Sequence, residues 1–365
     1  MKIHEVIQCL ENFAPLSLQE DYDNAGLIIG DVSGSCSGIL TTLDVTEETI
    51  AEAFQKKCNL IVAHHPIIFK GLKKLNGKNY VERTVISAIK NNIAVYAIHT
   101  NLDNVLNGVN FKIAQKLNLE NIQVLSPKEN TLKKLVTFSP KANAEEIRLV
   151  LFNAGAGTVG NYSECSYNIE GIGTFKAEEN AEPHVGKIGE RHQENETRIE
   201  VIFPSHLQQN IIKNLIEAHP YEEVAYDVYP LANTRNDTGS GLTGYLPKPL
   251  SEDEFLLLLK EKFKLKVIKH TSFLHKKITK IALCGGAGSF LISAAKGSGA
   301  DAYVTSDVKY HEFFDADKTI FLADIGHYES EQFTIEQLTE ILQQKFPNFA
   351  VLKTELNTNP VNYYV

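Results

Sequence analysis

Residues 59–66 read NLIVAHHP, an apolar run that ends in two adjacent histidines and a proline. The continuous apolar run Asn59–Ala63 predicts a strand buried on both faces, as in a parallel sheet. In open α/β sheets, ligands bind outside the carboxyl ends of the strands, which is where His64 and His65 follow. Because neighbouring strand residues point in opposite directions, two adjacent imidazoles suit two different metal ions better than one. Pro66 keeps His65 out of helical geometry.

The same pattern occurs after two other apolar runs. Residues 93–98 (IAVYAI) precede His99 and Asp103, and the run TIFLADIG precedes His327. Glu331 follows His327 by four residues, so both side chains lie on one face of a helix that begins near that point. A single histidine after a strand is more often hydrogen-bonded than metal-binding, and an i, i+4 His/Glu pair is often a solvated helix face. The joint pattern nevertheless indicates a site whose imidazoles and carboxylates suit Zn, Fe, Mn or Ni.

The rest of the chain predicts an α/β fold with an inserted domain. Strands and helices alternate in the outer segments, which implies a largely parallel sheet. The outer elements are strands at 38–43, 280–283 and 302–305 and helices from Thr46 and at 80–90, 291–296 and 334–346. The middle segment has the order β-α-β-β-α-β of a ferredoxin-like domain, at 132–139, 143–152, 167–174, 198–204, 207–218 and 224–230. We therefore expect a discontinuous outer domain of residues 1–128 and 233–365 and an insert of residues 129–232, with a polar linker at 233–240.

The composition excludes several classes of protein. The chain has 365 residues and a net charge of −9, so no overall positive field favours nucleic acid. No apolar stretch is long enough to span a bilayer, and the N-terminal residues resemble a first helix rather than a signal peptide. We expect a cytoplasmic protein without a membrane or nucleic-acid partner. Its five cysteines contain no CxxC pair, which indicates inert thiols rather than disulfides or a Cys-rich zinc site.

Three further features have competing interpretations. CGGAGS (Cys284–Ser289) resembles a phosphate-binding loop, but it lacks the third glycine of the dinucleotide fingerprint and the lysine of a P-loop. A plain tight turn is therefore favoured there. Asp44 follows the strand at 38–43 and suits either catalysis or a turn or capping role, of which the second is favoured. His311, in TSDVKYHEFFDA, either lines the site or lies on a helix surface.

Several motifs resemble those of the GTP cyclohydrolase I type 2 homologues, also described as NIF-three-like dinuclear-metal proteins. They are DYDNAGLIIG (21–30), LDVT (43–46), IVAHHPIIF (61–69), AIHTNLD (97–103), CGGAGS (284–289), VTSDVKYHEFFDA (304–316) and DIGHYESE (324–331). Their order and spacing cover nearly all of the outer segments. The middle segment, which ends in AHPYEEVAYDVYP, resembles the PII/CutA-type insert of the longer family members. Tyr22 and Ser306 stand where the family usually has Trp and Gly, and neither is a ligand position.

The resemblance implies a dinuclear site and a particular assembly. It implies that His65 and Asp103 bind one metal ion, that His64 and His327 bind the other, and that Glu331 bridges both. It also implies a homohexameric ring whose sites face a central cavity.

The resemblance and the motifs together predict two divalent ions per chain, with zinc among the candidates, and a metal-dependent hydrolase. The expected reaction is hydrolysis of a C–N system in a purine nucleotide, in which His99 or His311 moves protons. A second class stays open, a non-catalytic metal-binding or regulatory assembly protein. Turnover that requires the metal ligands distinguishes the two.

Overall fold

A computed structural model describes residues 1–364 of the chain. The chain divides into two compact units. The outer unit comprises Met1–Pro127 and the described residues from Asn236 onward, and the middle unit is Lys128–Arg235.

Strands and helices alternate along most of the chain. The strands are β1 (Gly26–Ile29), β2 (Ile39–Thr42), β3 (Leu60–Ala63), β4 (Ala94–Ala97), β5 (Glu120–Pro127), β6 (Leu132–Pro140), β7 (Tyr167–Lys176), β8 (Arg191–Pro204), β9 (Tyr226–Pro230), β10 (Gly239–Leu250), β11 (Lys269–His270), β12 (Ile278–Ala287), β13 (Ala302–Ser306), β14 (Phe321–Asp324) and β15 (Val351–Lys353). The helices are α1 (Ile3–Phe13), α2 (Glu47–Gln55), α3 (Tyr80–Lys90), α4 (Thr100–Asp103), α5 (Val109–Lys116), α6 (Ala144–Asn153), α7 (Gln208–Ala218), α8 (Glu252–Phe263), α9 (Ile292–Gly297), α10 (His327–Glu331) and α11 (Thr334–Lys345).

The outer unit contains two sheets, each built around a parallel set of strands. The first has the order β1-β4-β3-β2-β15, and only β1 is antiparallel to its neighbour. The second has the order β11-β14-β13-β12-β10-β5, in which β12, β13 and β14 are parallel. Every residue of β2, β3, β4, β13 and β14 is buried, which explains their near-continuous apolar sequences. The polar residues that follow these strands therefore emerge at the carboxyl ends of two parallel sets.

Local sequence explains where three helices of the outer unit, α2, α3 and α10, begin. Thr46 caps α2 by accepting a hydrogen bond from the backbone of Thr49, and Asn79 caps α3 by accepting one from Glu82. Gly326, at φ +89°, makes the sharp turn between β14 and α10. That turn places His327 and Glu331 on the same short helix.

The middle unit is a four-stranded antiparallel sheet in the order β7-β8-β6-β9. Its core forms between the sheet and the two helices α6 and α7, with Leu135, Ile147, Val201 and Leu215 among the buried residues. The chain order β6-α6-β7-β8-α7-β9 is the predicted ferredoxin-like order.

The α/β class with an inserted ferredoxin-like unit is confirmed, but some predicted elements differ. The parallel strands belong to two sheets rather than one, and β5, β10 and β11 add antiparallel strands that the sequence did not reveal. The predicted turn at Cys284–Ser289 is mostly the end of β12, which extends to Ala287 through an irregularity in its pairing with β13 at which Gly286 has a positive φ. The predicted linker 233–240 is shorter, since β10 begins at Gly239. Among the described residues, no helix combines the length and apolar character needed to cross a membrane.

Candidate metal centre

The five predicted ligands come from both parallel sets of the outer unit. His64 and His65 follow β3 directly, Asp103 is the last residue of α4, and His327 and Glu331 begin and end α10. Except for His64, which is fully buried, these residues line a cavity of about 1250 Å³. The structure therefore brings together residues that are up to 267 positions apart in the chain.

Glu331 lies at the centre of this arrangement and is only 3% exposed. Its Oε2 is 3.0 Å from Nε2 of His65 and 3.1 Å from Nε2 of His327, and these two nitrogen atoms are 3.4 Å apart. Its Oε1 is 3.8 Å from Nε2 of His64, which in turn is 3.7 Å from Oδ1 of Asp103. The ligand atoms thus form two groups that share Glu331. This pairing of His64 with Asp103 and of His65 with His327 differs from the pairing that the family resemblance implies.

Hydrogen bonds at Nδ1 fix the orientation of the first two histidines. Nδ1 of His64 lies 2.8 Å from the carbonyl oxygen of Ile98. Because a carbonyl only accepts, Nδ1 carries the proton and Nε2 of neutral His64 has a free lone pair. Nδ1 of His65 lies 2.7 Å from Oδ1 of Asp44 and donates to it. Both rings therefore present Nε2 to the site, as metal-binding histidines generally do when the other nitrogen is held by an acceptor.

Two more histidines have the same arrangement. Nδ1 of His327 is 2.7 Å from Oδ2 of Asp307, and Nδ1 of His99 is 2.7 Å from Oδ1 of Asp23. Asp23 also accepts from the backbone and the hydroxyl of Thr100. His99 is close enough to His64 and His65 for the three rings to offer nitrogen atoms within 4.8 Å of one another.

The donor set fits divalent metal ions. In the described part of the chain, Nε2 of His64 and Oδ1 of Asp103 are buried and have no hydrogen-bond partner. Leaving such atoms unpaired costs about 1–3 kcal/mol each, so a native protein normally satisfies them. Both atoms are metal-ligand types, they lie 3.7 Å apart, and Nε2 of His64 is also 3.8 Å from Oε1 of Glu331. A cation bound there would satisfy them.

The pKa values show how the ligand set behaves without a cation. Burial alone would lower the pKa of His65 and of His327, but their carboxylate partners raise it to about 10 and about 11 respectively. Burial and, after it, the nearby charge of Glu331 together raise the pKa of Asp103 to about 7. Burial opposes ionisation of Glu331 as well, yet the hydrogen bonds from the surrounding histidines hold its pKa well below the usual range. Protons thus occupy the places where a metal would bind.

The end of β12 lies next to Glu331 and is held in place by two backbone hydrogen bonds. The backbone N–H of Gly286 donates to Oγ of Ser330 at 3.0 Å, and that of Gly285 donates to Oδ1 of Asn110 at 2.8 Å. Gly286 has a φ of +66°, and a Cβ there would overlap Oε1 of Glu331. Within CGGAGS, the glycine at 286 therefore provides the space that the carboxylate occupies.

His311 lies elsewhere on the outer unit. It is exposed, its ring contacts those of Tyr310 and Phe314, and it is not among the described residues that line the cavity. His99 does line the cavity.

Sequence reasoning did not predict that three carboxylates orient the histidines. Asp44 interacts with His65 through its side chain rather than serving only a turn or cap, and Asp23 and Asp307 were not singled out at all. All three lie inside the motifs DYDNAGLIIG, LDVT and VTSDVKYHEFFDA, which was the available signal.

Comparisons with known proteins agree with this architecture. The family model Duf34/NIF3 (NGG1p interacting factor 3) matches residues 1–360. A Bacillus subtilis protein named "GTP cyclohydrolase 1 type 2 homolog" is 37% identical over a match of 364 residues that covers 98% of each chain. The crystal structure of a Bacillus cereus protein related to NIF3 has a TM-score of 0.87 and 39% identity, covering 100% of this chain and 99% of that one. A Staphylococcus aureus crystal structure has a TM-score of 0.80 and 30% identity, with the same coverage. The chain therefore belongs to the Duf34/NIF3 family.

Proposed function

We propose that this protein is a hydrolase that depends on two divalent metal ions. His64 and Asp103 would hold one ion, His65 and His327 would hold the other, and Glu331 would be shared. The observation that carries the proposal is the pair of buried, unpartnered ligand atoms beside one oxygen of Glu331, with two imidazoles beside its other oxygen. Two adjacent groups of ligand atoms around one carboxylate are what a dinuclear centre requires.

The ions would supply Lewis-acid polarisation and an activated water for hydrolysis. The chain itself supplies a proton acceptor beside them, because His99 donates from Nδ1 to Asp23 and leaves Nε2 free on the cavity side. When Nε2 takes a proton, the charge on Asp23 stabilises the imidazolium, as in other Asp–His pairs. Burial disfavours a charged Asp23, but its bonds to His99 and Thr100 keep its pKa well below the usual range.

The cavity suits a planar heterocycle. Its volume of about 1250 Å³ exceeds the range of about 300–1000 Å³ that is typical of small-molecule sites, so a nucleotide has room to enter. The rings of Tyr22, Phe69, Tyr80 and Tyr328 are part of its lining. Relatives of the chain are named as homologues of GTP cyclohydrolase 1 type 2. We propose hydrolysis of a C–N bond in a purine nucleotide as the reaction to test first.

Metal analysis of untagged protein, followed by a hydrolysis screen that includes GTP, tests the proposal. We expect about two ions per chain, fewer in Asp103→Ala and His327→Ala, and an unchanged number in His99→Gln. Turnover in His99→Gln should fall by about 10²-fold or more, the usual size of a general-base effect. His311→Gln is the matched control, because His311 is exposed and does not line the cavity among the described residues.

The outcomes separate the two functional classes. A wild-type content near zero under several metal supplements would refute the metal centre itself. Two bound ions without turnover in a broad screen would favour the non-catalytic metal-binding role. The homohexameric ring and the cytoplasmic location stay predictions, which light scattering and cell fractionation test.

A further inference from the structure

After β15, residues 354–363 run from the first sheet to the metal centre. After β15, Thr354 donates from its hydroxyl to Oε2 of Glu52, and the backbone of Glu355 donates to Oε1 of the same residue at 2.9 Å. Glu52 belongs to α2 and is 7% exposed. Because a buried carboxylate holds two successive residues, the start of this segment is fixed before it reaches the cavity.

Thr358 connects the segment to a ligand histidine. Its hydroxyl donates to Oδ2 of Asp44 at 2.6 Å, while Oδ1 of Asp44 accepts from Nδ1 of His65 at 2.7 Å. Each oxygen of Asp44 thus has its own hydrogen-bond partner. A carboxylate held at both oxygen atoms cannot rotate freely, and it fixes the ring that it contacts.

The segment then reaches the opposite side of the cavity. Nδ2 of Asn359 donates to Oε1 of Glu329 at 3.0 Å, so the chain contacts α10 as well as the end of β2. Pro360, Val361 and Tyr363 line the cavity together with Thr358 and Asn359. The segment is therefore attached at Glu52, Asp44 and Glu329 in turn, and it forms one wall of the site.

We propose that the C-terminal segment Thr354–Tyr363 contributes to the metal centre, and that Thr358 within it is a positioning residue that holds Asp44 against His65. This inference rests on the proposed metal-binding function. Thr358 acts through Asp44 and His65 and touches no ligand atom itself. The residues that follow Thr358 and line the cavity are Asn359, Pro360, Val361 and Tyr363.

Titration of metal-free protein with Co²⁺, followed by its visible absorption, tests the role of Thr358. Loss of an outer partner of a ligand histidine commonly weakens metal binding by about 10–100-fold. For Thr358→Val, which removes the hydroxyl but keeps the shape, we expect about tenfold weaker binding of one of the two ions. Thr358→Ser keeps the hydroxyl and should restore binding to within about twofold and recover the wild-type spectrum.

A double-mutant cycle shows whether Thr358 acts through Asp44. In an Asp44→Asn background, Thr358→Val should add little further weakening, because both changes break the same chain of hydrogen bonds. Full additivity of the two changes would overturn the positioning role, as would a Thr358→Val protein that binds both ions like the wild type.

Truncation tests the segment as a whole. A chain that stops after Asn357 should show the same weakening as Thr358→Val, whereas a chain that stops after Tyr363 should bind Co²⁺ normally. Equal behaviour of the two truncations would overturn the inference. A wild-type protein that takes up no Co²⁺ would instead refute the metal centre, so the two failures are distinguishable.

Discussion

Replacing Gly286 with alanine should remove metal without changing any ligand. At φ +66°, an alanine costs about 1–2 kcal/mol of stability, because its Cβ crowds the backbone in left-handed geometry. The new Cβ would also overlap Oε1 of Glu331 and lie 3.3 Å from its Cδ. Restoring an ordinary separation of about 3.5 Å requires the carboxylate to move by about 1 Å. A site must hold its ligands to within about 0.5 Å, so this shift exceeds what a metal centre tolerates.

Gly299→Ala separates the overlap from the backbone cost. Gly299 also has a positive φ, of +73°, but a Cβ there meets no atom within 4 Å. Thermal unfolding of the metal-free proteins should show a similar loss of stability for the two variants. Elemental analysis should show a fall from about two ions to one or none in Gly286→Ala alone.

Two results would refute this reasoning. A Gly286→Ala protein that retains both ions with wild-type affinity would mean that Oε1 of Glu331 is not a ligand atom. Equal metal loss in Gly286→Ala and Gly299→Ala would mean that backbone strain, rather than displacement of the carboxylate, weakens the site.

Three further predictions concern charge, protons and the middle unit. Glu331→Gln keeps the shape of the side chain but loses its charge, so elemental analysis should find at least one ion missing. A crystal structure of this variant with both ions at full occupancy would refute the role of Glu331 as a ligand shared by the two ions. In metal-free protein the pKa values of about 10 for His65 and about 11 for His327 keep both rings protonated at pH 7.5. Because protons compete with metal for Nε2, metal binding should release about two protons per chain and should strengthen as the pH rises towards 9. An indicator dye measures this release, and a titration that records no release would contradict the prediction. Excision of residues 129–232 should leave a soluble outer unit that still binds metal, and loss of metal or of folding would contradict the insertion.

The sequence predicted the elements whose signals are local. The apolar run at 59–63 contains β3, and the predicted helix at 80–90 coincides with α3, which has Asn79 as its cap. Both faces of β3 are buried, so almost every residue of the strand had to be apolar, and the pattern was easy to recognise. By contrast, β10 runs from Gly239 to Leu250 with exposed residues towards its end, and its polar and glycine-rich sequence resembles a linker.

The partners that orient the histidines were not predictable in the same way. Asp23 lies 76 residues before His99, Asp44 lies 21 before His65, and Thr358 lies 314 after Asp44. No periodicity within one helix or strand connects residues at such separations. Only the tertiary fold shows that these side chains meet. The histidines could therefore be predicted as ligands from their motifs, whereas the residues that hydrogen-bond to them could not.

The charges of the site explain why so many carboxylates surround one cavity. Two divalent ions would bring four positive charges, and Asp103 and Glu331 offset only two of them. Asp44 accepts a hydrogen bond from Nδ1 of His65, and Asp307 accepts one from Nδ1 of His327. These two carboxylates provide two further negative charges next to the ligand histidines. The four carboxylates therefore balance the two ions within the site. Without the ions, protons on His65 and His327 offset only two of these negative charges, and Asp103 has its pKa raised to about 7. The metal-free centre therefore keeps a net negative charge, which favours the binding of divalent cations.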